Sequence, residues 1–544
     1  MAILYPLFKA ALTVVTALSF LNAAVVGSHL SIYNELGAPT FRSPRNVLFA
    51  VVAGGSSHTS WVAQILNELS KRGHSITFAS TGSHLRFFKP YPQMKGVSFG
   101  NETVDYRLGQ HVIREPRTWD GLRSDFKLDT DVYEPIYNDM KNVISNQQFD
   151  VVISDFFCPA CIDAAYAANI PTILTVLFNP VSASSESTTD RISLWLRFYK
   201  KFFYPVQLYW NLATELEKFE QQRQKCIGFV PEDNTRHSLV IINNLYGIEE
   251  ARPMEPLSEM IGPIYNGAYD PLPPAIQKFL ENHERVVFGA FGQHAAMTRD
   301  EAVRVLVGLL NALETGLIDG FMWVPGRSID GNARTLFPNT VTTASGQEYR
   351  VEDLYRDHPH ARLSSWAPQF AILQHPSVIT FLSHGGGTSL FEVSYAGKRA
   401  VIIPFFGDQL ANAVRLDRAQ VAVHLDISKL DDILEALRRV IQDKDGVLQS
   451  NVKRYQALMQ IRAQHAVARG ADLVEEVIFA TKDGILPHRQ DVAKKMSFLK
   501  ANNYDLYLCL AAIVMGLGWA IRFAHHSWKV YYQKITQEKK LKQN

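Results

Sequence analysis

The residues with the most chemical content crowd into Ser364–Ala413, SSWAPQFAILQHPSVITFLSHGGGTSLFEVSYAGKRAVIIPFFGDQLANA. Within it, Ser383-His384-Gly385-Gly386-Gly387-Thr388-Ser389 follows a strand-like apolar run and opens a helix-like one. Glycines let backbone N–H groups approach an anion closely, and a helix N-terminus adds partial positive charge. This spacing suits a diphosphate, with His384 as an extra donor. Trp366 and Gln369 precede it in a Pro-interrupted turn, suited to stacking on a base and bonding its edge. Glu392, near the start of the helix after the glycines, is placed to accept from ribose hydroxyls. Asp408-Gln409 ends the next strand, where the hydroxyls of a sugar could be held.

Other motifs say less. Asp129-Thr-Asp131 and Asp443-Lys-Asp445 spell the D-x-D of metal–diphosphate clamps, but three-residue patterns recur by chance and Asp445-Gly446 reads as a turn. Cys158-x-x-Cys161 has no second Cys/His pair to complete a tetrahedral zinc site. In an oxidising compartment it could pair or act in redox chemistry, though small buried helix residues are the expected state. No metal site is expected.

The elements that must position these residues read as an α/β chain. Val47–Ala53 is strand-like and ends in Gly54-Gly55-Ser56-Ser57-His58; a helix-period stretch runs from Ser60 to Lys71, and Ser75–Ala79 is extended again. That is a βαβ unit with a glycine turn after its first strand. Asp150–Ser154 and Ile170–Leu177 are further strands, and Pro271-Leu272-Pro273-Pro274 punctuates the middle of the chain. A second series begins at Arg285–Gly292, with a capping box at Thr298–Glu301 and strands at Val378–Ser383, Arg399–Pro404 and Val421–Leu425. Two doubly wound, Rossmann-like domains result, with ligands expected where strand C-termini face each other across a cleft. Between Trp195 and Tyr204 lies an aromatic stretch interleaved with Arg197, Lys200 and Lys201. It reads as amphipathic helices on the first domain, or else as a greasy acceptor-binding or membrane-resting surface.

Composition bounds the rest. The 544 residues carry 55 Lys+Arg against 53 Asp+Glu, and this near balance, with no long basic block, argues against nucleic acid as a partner. Four cysteines exclude a disulfide framework. Residues 1–24 have one Lys, no acid and an apolar run closed by small residues, the pattern of a secretory signal peptide. Residues 504–523 are apolar and long enough to cross a bilayer, with aromatic residues at both edges. The tail, 524–544, is basic and would face the cytosol, leaving the body in the lumen; its last five residues resemble the K-x-K-x-x retrieval signal of endoplasmic-reticulum membrane proteins. Asn101 lies in the N-x-[ST] sequon Asn101-Glu-Thr103, an expected glycosylation site in a lumenal body.

At Ser364–Ala413 the chain resembles the UDP-glycosyltransferase family, the family-1 enzymes of GT-B fold that include the membrane-bound UDP-glucuronosyltransferases. W-x-P-Q at Trp366–Gln369, H-G-G at His384–Gly386, Glu392, and D-Q-x-x-N-A at Asp408–Ala413 fall in the family's order and spacing. The resemblance covers nearly the whole chain. It implies that Trp366 and Gln369 hold uracil and Glu392 the ribose. His384, with Gly386, Gly387, Thr388 and Ser389, would hold the diphosphate, and Asp408 and Gln409 the donor sugar. His58 would be the general base and Asp155 its partner: an imidazole near neutral pKa takes a hydroxyl proton, and a carboxylate behind it fixes the tautomer. Thr388 stands where the family usually has Asn, and Gln293 where it usually has Ser; both positions line the diphosphate there.

The implied domains are 1–24 signal peptide, 25–262 acceptor domain, 263–284 linker, 285–482 UDP-sugar domain, 483–503 connector, 504–523 membrane helix and 524–544 cytosolic tail. The implied reaction is inverting, metal-independent transfer of a hexosyl group from a UDP-sugar to a hydroxyl of a small lipophilic acceptor. The UDP-sugar is a co-substrate and no cofactor is expected; a homo-oligomer is compatible with the reading. Gln409 points to glucose by family analogy, while glucuronic acid, galactose and N-acetylglucosamine stay open. The rival readings are a non-catalytic lumenal UDP-sugar- or lipid-binding protein on the same fold, and a redox protein using Cys158 and Cys161.

Overall fold

In the computed structural model, the described residues are 40–100, 104, 119–177, 193–228, 237–251, 253–265, 269–328 and 336–541. The expected signal peptide, the sequon at Asn101 and residues 542–544 lie outside them. All the elements named below belong to the unit Arg45–Asn544.

The central strands are short, apolar and buried on both faces, which a parallel sheet covered by helices accommodates. The first sheet comprises β1 (Asn46–Val51), β2 (Ser75–Ser80), β3 (Lys95–Ser98), β4 (Val151–Asp155), β5 (Thr172–Val176), β6 (Leu239–Ile242) and β7 (Ser258–Met260). Its strands are all parallel, in the order β3-β2-β1-β4-β5-β6-β7. The second comprises β8 (Val286–Ala290), β9 (Gly320–Val324), β10 (Ala361–Leu363), β11 (Val378–Ser383), β12 (Arg399–Ile402) and β13 (Ala422–His424), in the parallel order β10-β9-β8-β11-β12-β13. Strand order reverses between β1 and β4 in one sheet and between β8 and β11 in the other. Those switch points open the crevices in which doubly wound sheets bind ligands.

Several elements depart from expectation. The first helix, α1 (Ser56–Lys71), starts four residues earlier than its apolar period suggests, so His58 lies in its first turn and not in a loop. After α2 (Trp119–Asn146), the helix α3 (Pro159–Ala167) begins at a disulfide between Cys158 and Cys161, where unpaired small residues were expected. Cys158 caps the helix and Cys161 lies in its first turn, which brings their Cα atoms to 5.3 Å. The aromatic stretch forms α4 (Leu194–Phe198), a π-helical turn and the start of α5 (Tyr204–Ile227); α5 packs on the domain through Leu212, Phe219, Cys226 and Ile227, whereas no side chain of α4 or the π-helical turn is buried.

The expected linker 263–284 contains a helix, α6 (Pro274–Glu281), whose Ile276, Phe279 and Leu280 join the core of the second domain. That domain also holds α7 (Arg299–Glu314), opened by the expected Thr298/Glu301 capping box. Its site-bearing helices are α8 (Gln369–Gln374), α9 (Gly387–Tyr395) and α10 (Asp408–Arg418).

The boundary expected at 482 gives way to α11 (Val447–Ala480), which serves both domains. Val452, Tyr455 and Met459 pack in the second core, whereas Ala466, Ala471, Leu473, Val474 and Val477 pack in the first, followed by Leu486. Gly470 permits this return, because a Cβ there would come within 2.5 Å of Ile65 on α1. Charge then fixes it. Glu475 accepts from Arg72 at 2.7 Å and pairs with His74 at 3.2 Å, and Arg469 bonds Glu259 at 2.6 Å. The last helix, α12 (Tyr504–Leu541), is long and apolar enough over its first part to cross a membrane, and it continues through most of the expected tail.

Candidate active site

The first half of the site is a pair at the C-terminal ends of β1 and β4. Asp155 is the last residue of β4 and is buried; its Oδ2 lies 2.9 Å from His58 Nδ1, and its Oδ1 accepts the Phe157 N–H at 3.0 Å. Held from both sides, the carboxylate fixes the imidazole with Nε2 as the atom left for a substrate. Gly54 must be glycine: it has a φ of +80°, and a Cβ would come to 2.2 Å of the His58 ring. The edge of the Phe157 ring closes another side, with centroids 5.4 Å apart. Burial works against protonation of His58. The charge and hydrogen bond of Asp155 outweigh it, with Asp408 adding at longer range, and the net pKa is raised above the ordinary imidazole value.

One contributor went unread in the sequence. His84 bonds the Gly54 carbonyl through Nε2 at 2.6 Å and Thr81 Oγ1 through Nδ1 at 3.0 Å, pinning the turn that carries His58. The only hint was a polar Thr-Gly-Ser-His run after β2.

The second half gathers around β8 and β11. His384 follows β11 and is buried, and burial lowers its pKa to about 4, with His294 reinforcing the shift, so the ring is neutral at pH 7. It bonds the Ala290 carbonyl, and its Nδ1 has no hydrogen-bond partner among the described residues. Gly386 caps α9, and Gly387, Thr388 and Ser389 form its first turn, presenting unpaired amides toward the crevice. Asn412 Nδ2 ties this loop to α10, bonding the Gly385 carbonyl at 2.9 Å and Asp408 Oδ2 at 2.8 Å.

Glu392 is buried in the second turn of α9. Gln369 Nε2, at the start of α8, donates to its Oε2 at 2.5 Å and to Ser389 Oγ at 3.0 Å. Burial raises the Glu392 pKa to about 7 despite hydrogen bonds from Gln369 and Tyr269. Trp366, in the turn after β10, is 58% exposed and offers an open ring face. Asp408 does not end a strand as expected: β12 stops at Ile402, and Asp408 is the first residue of α10 after Gly407. Burial raises its pKa to about 6. Gln409 is buried, and its Oε1 accepts the Phe405 and Phe406 N–H groups at 2.8 and 3.2 Å, so it shapes the turn before α10.

The two halves face each other. His58 and Asp408 stabilise one another's charged forms across the cleft. A Cβ built on Gly55 would come to 2.7 Å of Gln293 Oε1 and 3.3 Å of His294 Nε2, so the loop after β8 reaches the turn that carries His58. The expected residues follow strand C-termini: His58 after β1, Asp155 at the end of β4, Gln293 after β8, Trp366 and Gln369 after β10, His384 to Glu392 after β11, and Asp408 and Gln409 after β12. The D-x-D motifs do not. Asp131 pairs with Lys127 on α2, and Asp443 caps the start of α11 through the Leu448 and Gln449 N–H groups.

Two parallel doubly wound sheets, with a His–Asp pair at the end of one and a glycine-led helix start at the end of the other, form a two-domain α/β protein, and comparison with known proteins names its family. The profile described as "UDP-glucoronosyl and UDP-glucosyl transferase" matches residues 192–462. The UDP-glycosyltransferase stmC of Aspergillus ustus is 27% identical over 530 residues, covering 88% of this chain and 97% of that protein. The human UDP-glucuronosyltransferase 2B7 is 22% identical over 511 residues, covering 85% and 90% respectively. Among solved structures, TcCGT1 in complex with UDP has a TM-score of 0.58 at 17% identity, covering 80% of this chain and all of that one. Phytolacca americana UGT2, complexed with UDP-2-fluoro-glucose and pterostilbene, has a TM-score of 0.55 at 16% identity with the same coverage. The chain belongs to the UDP-glucuronosyl and UDP-glucosyl transferase family, and its fold is GT-B. It is a glycosyltransferase that takes its sugar from a UDP donor.

Proposed function

We propose that the enzyme inverts the anomeric centre in a single displacement, with a small lipophilic alcohol or phenol as acceptor. His58 Nε2 takes the acceptor hydroxyl proton while the oxygen attacks the anomeric carbon from the face opposite UDP. The bond from that carbon to the β-phosphate oxygen breaks, and its electron pair leaves with UDP. Asp155 stabilises the imidazolium that forms. Glu392 and Gln369 hold the ribose and uracil, Trp366 stacks on the base, and Asp408 and Gln409 position the sugar. Thr388 and Gln293 stand at the diphosphate and can still donate through a hydroxyl and an amide.

Charge on the departing diphosphate falls on the α9 amides and on His384, an N-terminal anion site that requires no divalent cation. Turnover should therefore survive EDTA unchanged, and its loss with rescue by Mg²⁺ or Mn²⁺ would overturn that part of the reading. One observation carries the base assignment: the His58–Asp155 bond of 2.9 Å aims Nε2 at the cleft opposite Asp408. His58→Ala should cut transfer by roughly 10²–10⁴ with UDP affinity retained in calorimetry; near-normal turnover would refute it.

We further propose that α12 spans the endoplasmic-reticulum membrane once, type I, with the body lumenal and the tail cytosolic. The Cys158–Cys161 disulfide supports an oxidising compartment for the body. Protease protection of the body in sealed microsomes tests the orientation.

A further inference from the structure

The segment that links the two domains reaches into the donor half of the cleft. After β7 the chain leaves the first core at Ile261 and Ile264, and it enters the second through Leu272 and α6. Between these points two tyrosines turn onto the site-bearing helices. Tyr265 donates its hydroxyl to the Phe391 carbonyl of α9 at 3.2 Å and meets Tyr395 edge-on, with ring centroids 4.9 Å apart. Tyr269 stacks on Phe370 of α8, with centroids 4.2 Å apart and ring planes 26° from parallel, and its hydroxyl bonds the Glu392 carboxyl. Glu392 is therefore held by donors from two parts of the chain, Gln369 Nε2 from α8 and the Tyr269 hydroxyl from the linker.

Stacking on Phe370 accounts for an aromatic ring at position 269, and phenylalanine would serve it as well. The hydroxyl is what packing leaves unexplained. Its effect is on the form of the carboxyl: amide and phenol donors bond a carboxylate more strongly than a neutral acid, whereas burial favours the neutral acid. The titratable groups packed about Glu392 are Tyr265 and Tyr269 from the linker and Tyr395 of its own helix, and phenols carry no charge at neutral pH. Opposition to burial thus falls to the two hydrogen bonds. A ribose diol needs the ionised form, because its hydroxyls donate and a carboxylate offers acceptors alone.

We propose that Tyr269 is a positioning residue of the donor site: from the interdomain linker, its hydroxyl holds the Glu392 carboxylate in the form and orientation that accept from the ribose hydroxyls. The inference rests on the reading that Glu392 holds the ribose, and a pair of nucleotides separates the two. The full chain in detergent is titrated by calorimetry with UDP and with 2′,3′-dideoxy-UDP, across the pH range through which Glu392 ionises. Wild type should bind UDP roughly 10–100-fold more tightly than the dideoxy nucleotide. Tyr269→Phe keeps the ring on Phe370. It should bind UDP roughly 10-fold more weakly than wild type at pH 7, with its affinity for the dideoxy nucleotide unchanged. The pH at which UDP affinity reaches half its plateau should rise by about one unit in the variant, since the charged carboxyl has lost a donor. Ionisation of UDP and of the cleft histidines is common to both proteins and cancels in the comparison.

An equal loss toward both nucleotides, or an unmoved midpoint, would reduce Tyr269 to packing and overturn the inference. A wild type that binds the two nucleotides alike would remove the ribose from Glu392 and take the inference down with that reading, a result seen before any variant is made.

Discussion

Replacing Glu392 by Gln removes a charge that the folded protein carries at a cost. The carboxyl is buried and accepts Gln369 Nε2 at 2.5 Å, yet burial lifts its pKa from 4.5 to about 7. A carboxyl whose folded pKa is raised contributes stability that is complete below its unfolded value and is lost as pH climbs through the folded one. The rise from 4.5 to about 7, at roughly 1.36 kcal/mol per pH unit, amounts to about 3 kcal/mol given up by pH 8.5. Gln cannot ionise and keeps an acceptor oxygen for Gln369. Glu392→Gln should therefore melt higher than wild type at pH 8.5, on the order of 3 °C, with the gap closing near pH 5. Scanning fluorimetry of the detergent-solubilised protein at both pH values measures this. Ribose hydroxyls lose a carboxylate acceptor in the same variant, so UDP should bind roughly 10–100-fold more weakly by calorimetry. A variant no more stable than wild type at pH 8.5 refutes the burial argument, and unchanged UDP affinity refutes the ribose role.

Asp155→Asn removes the charge that holds the His58 pKa up against burial, so the acid limb of the pH profile of kcat/KM should move to lower pH while the plateau falls by roughly 10²–10⁴. An unmoved limb would show that another group titrates there. Glu475→Ala strips Arg72 and His74 of their buried partner and should cost about 3 kcal/mol, the low end for such pairs because Arg72 keeps Glu68 and Asp472. A thermal midpoint within error of wild type would show that α11 is held by apolar packing alone.

The donor site was the most legible part of the chain, because its chemistry is local. A strand, three glycines, the start of a helix and a carboxylate lie within fifteen residues, Val378–Glu392, so local backbone geometry alone brings Gly386 and Glu392 close. His58 and Asp155 were readable as a pair only through the family resemblance: the bond between them joins residues 97 apart and is made by the β1–β4 pairing, which local sequence does not mark. Helix ends misled where polar residues open a helix without a side-chain cap, as at Ser56 and Asp408. The return of α11 to the first domain was invisible, since its apolar period continues unbroken while its partners change. The Cys158–Cys161 bond depends on the helix start that brings the two Cα atoms close, and the sequence does not mark that start.

The path of α11 has a consequence for how the enzyme opens. Because the chain crosses into the second domain near residue 263 and crosses back within one continuous helix, the UDP-binding half is threaded as an insertion in the other half. A single-strand tether would let it swivel in any direction. A doubled tether, one member of which is a helix resistant to stretching, restricts it to rocking about the line joining the two crossings. The cleft would then widen and narrow along one coordinate, with Gln293 and Gly55 as the contact that parts first. Donor entry and UDP release would share that coordinate. It follows that residues 45–265 expressed alone lack the α11 segment of their own core, and should fold only when residues 447–486 are supplied with them.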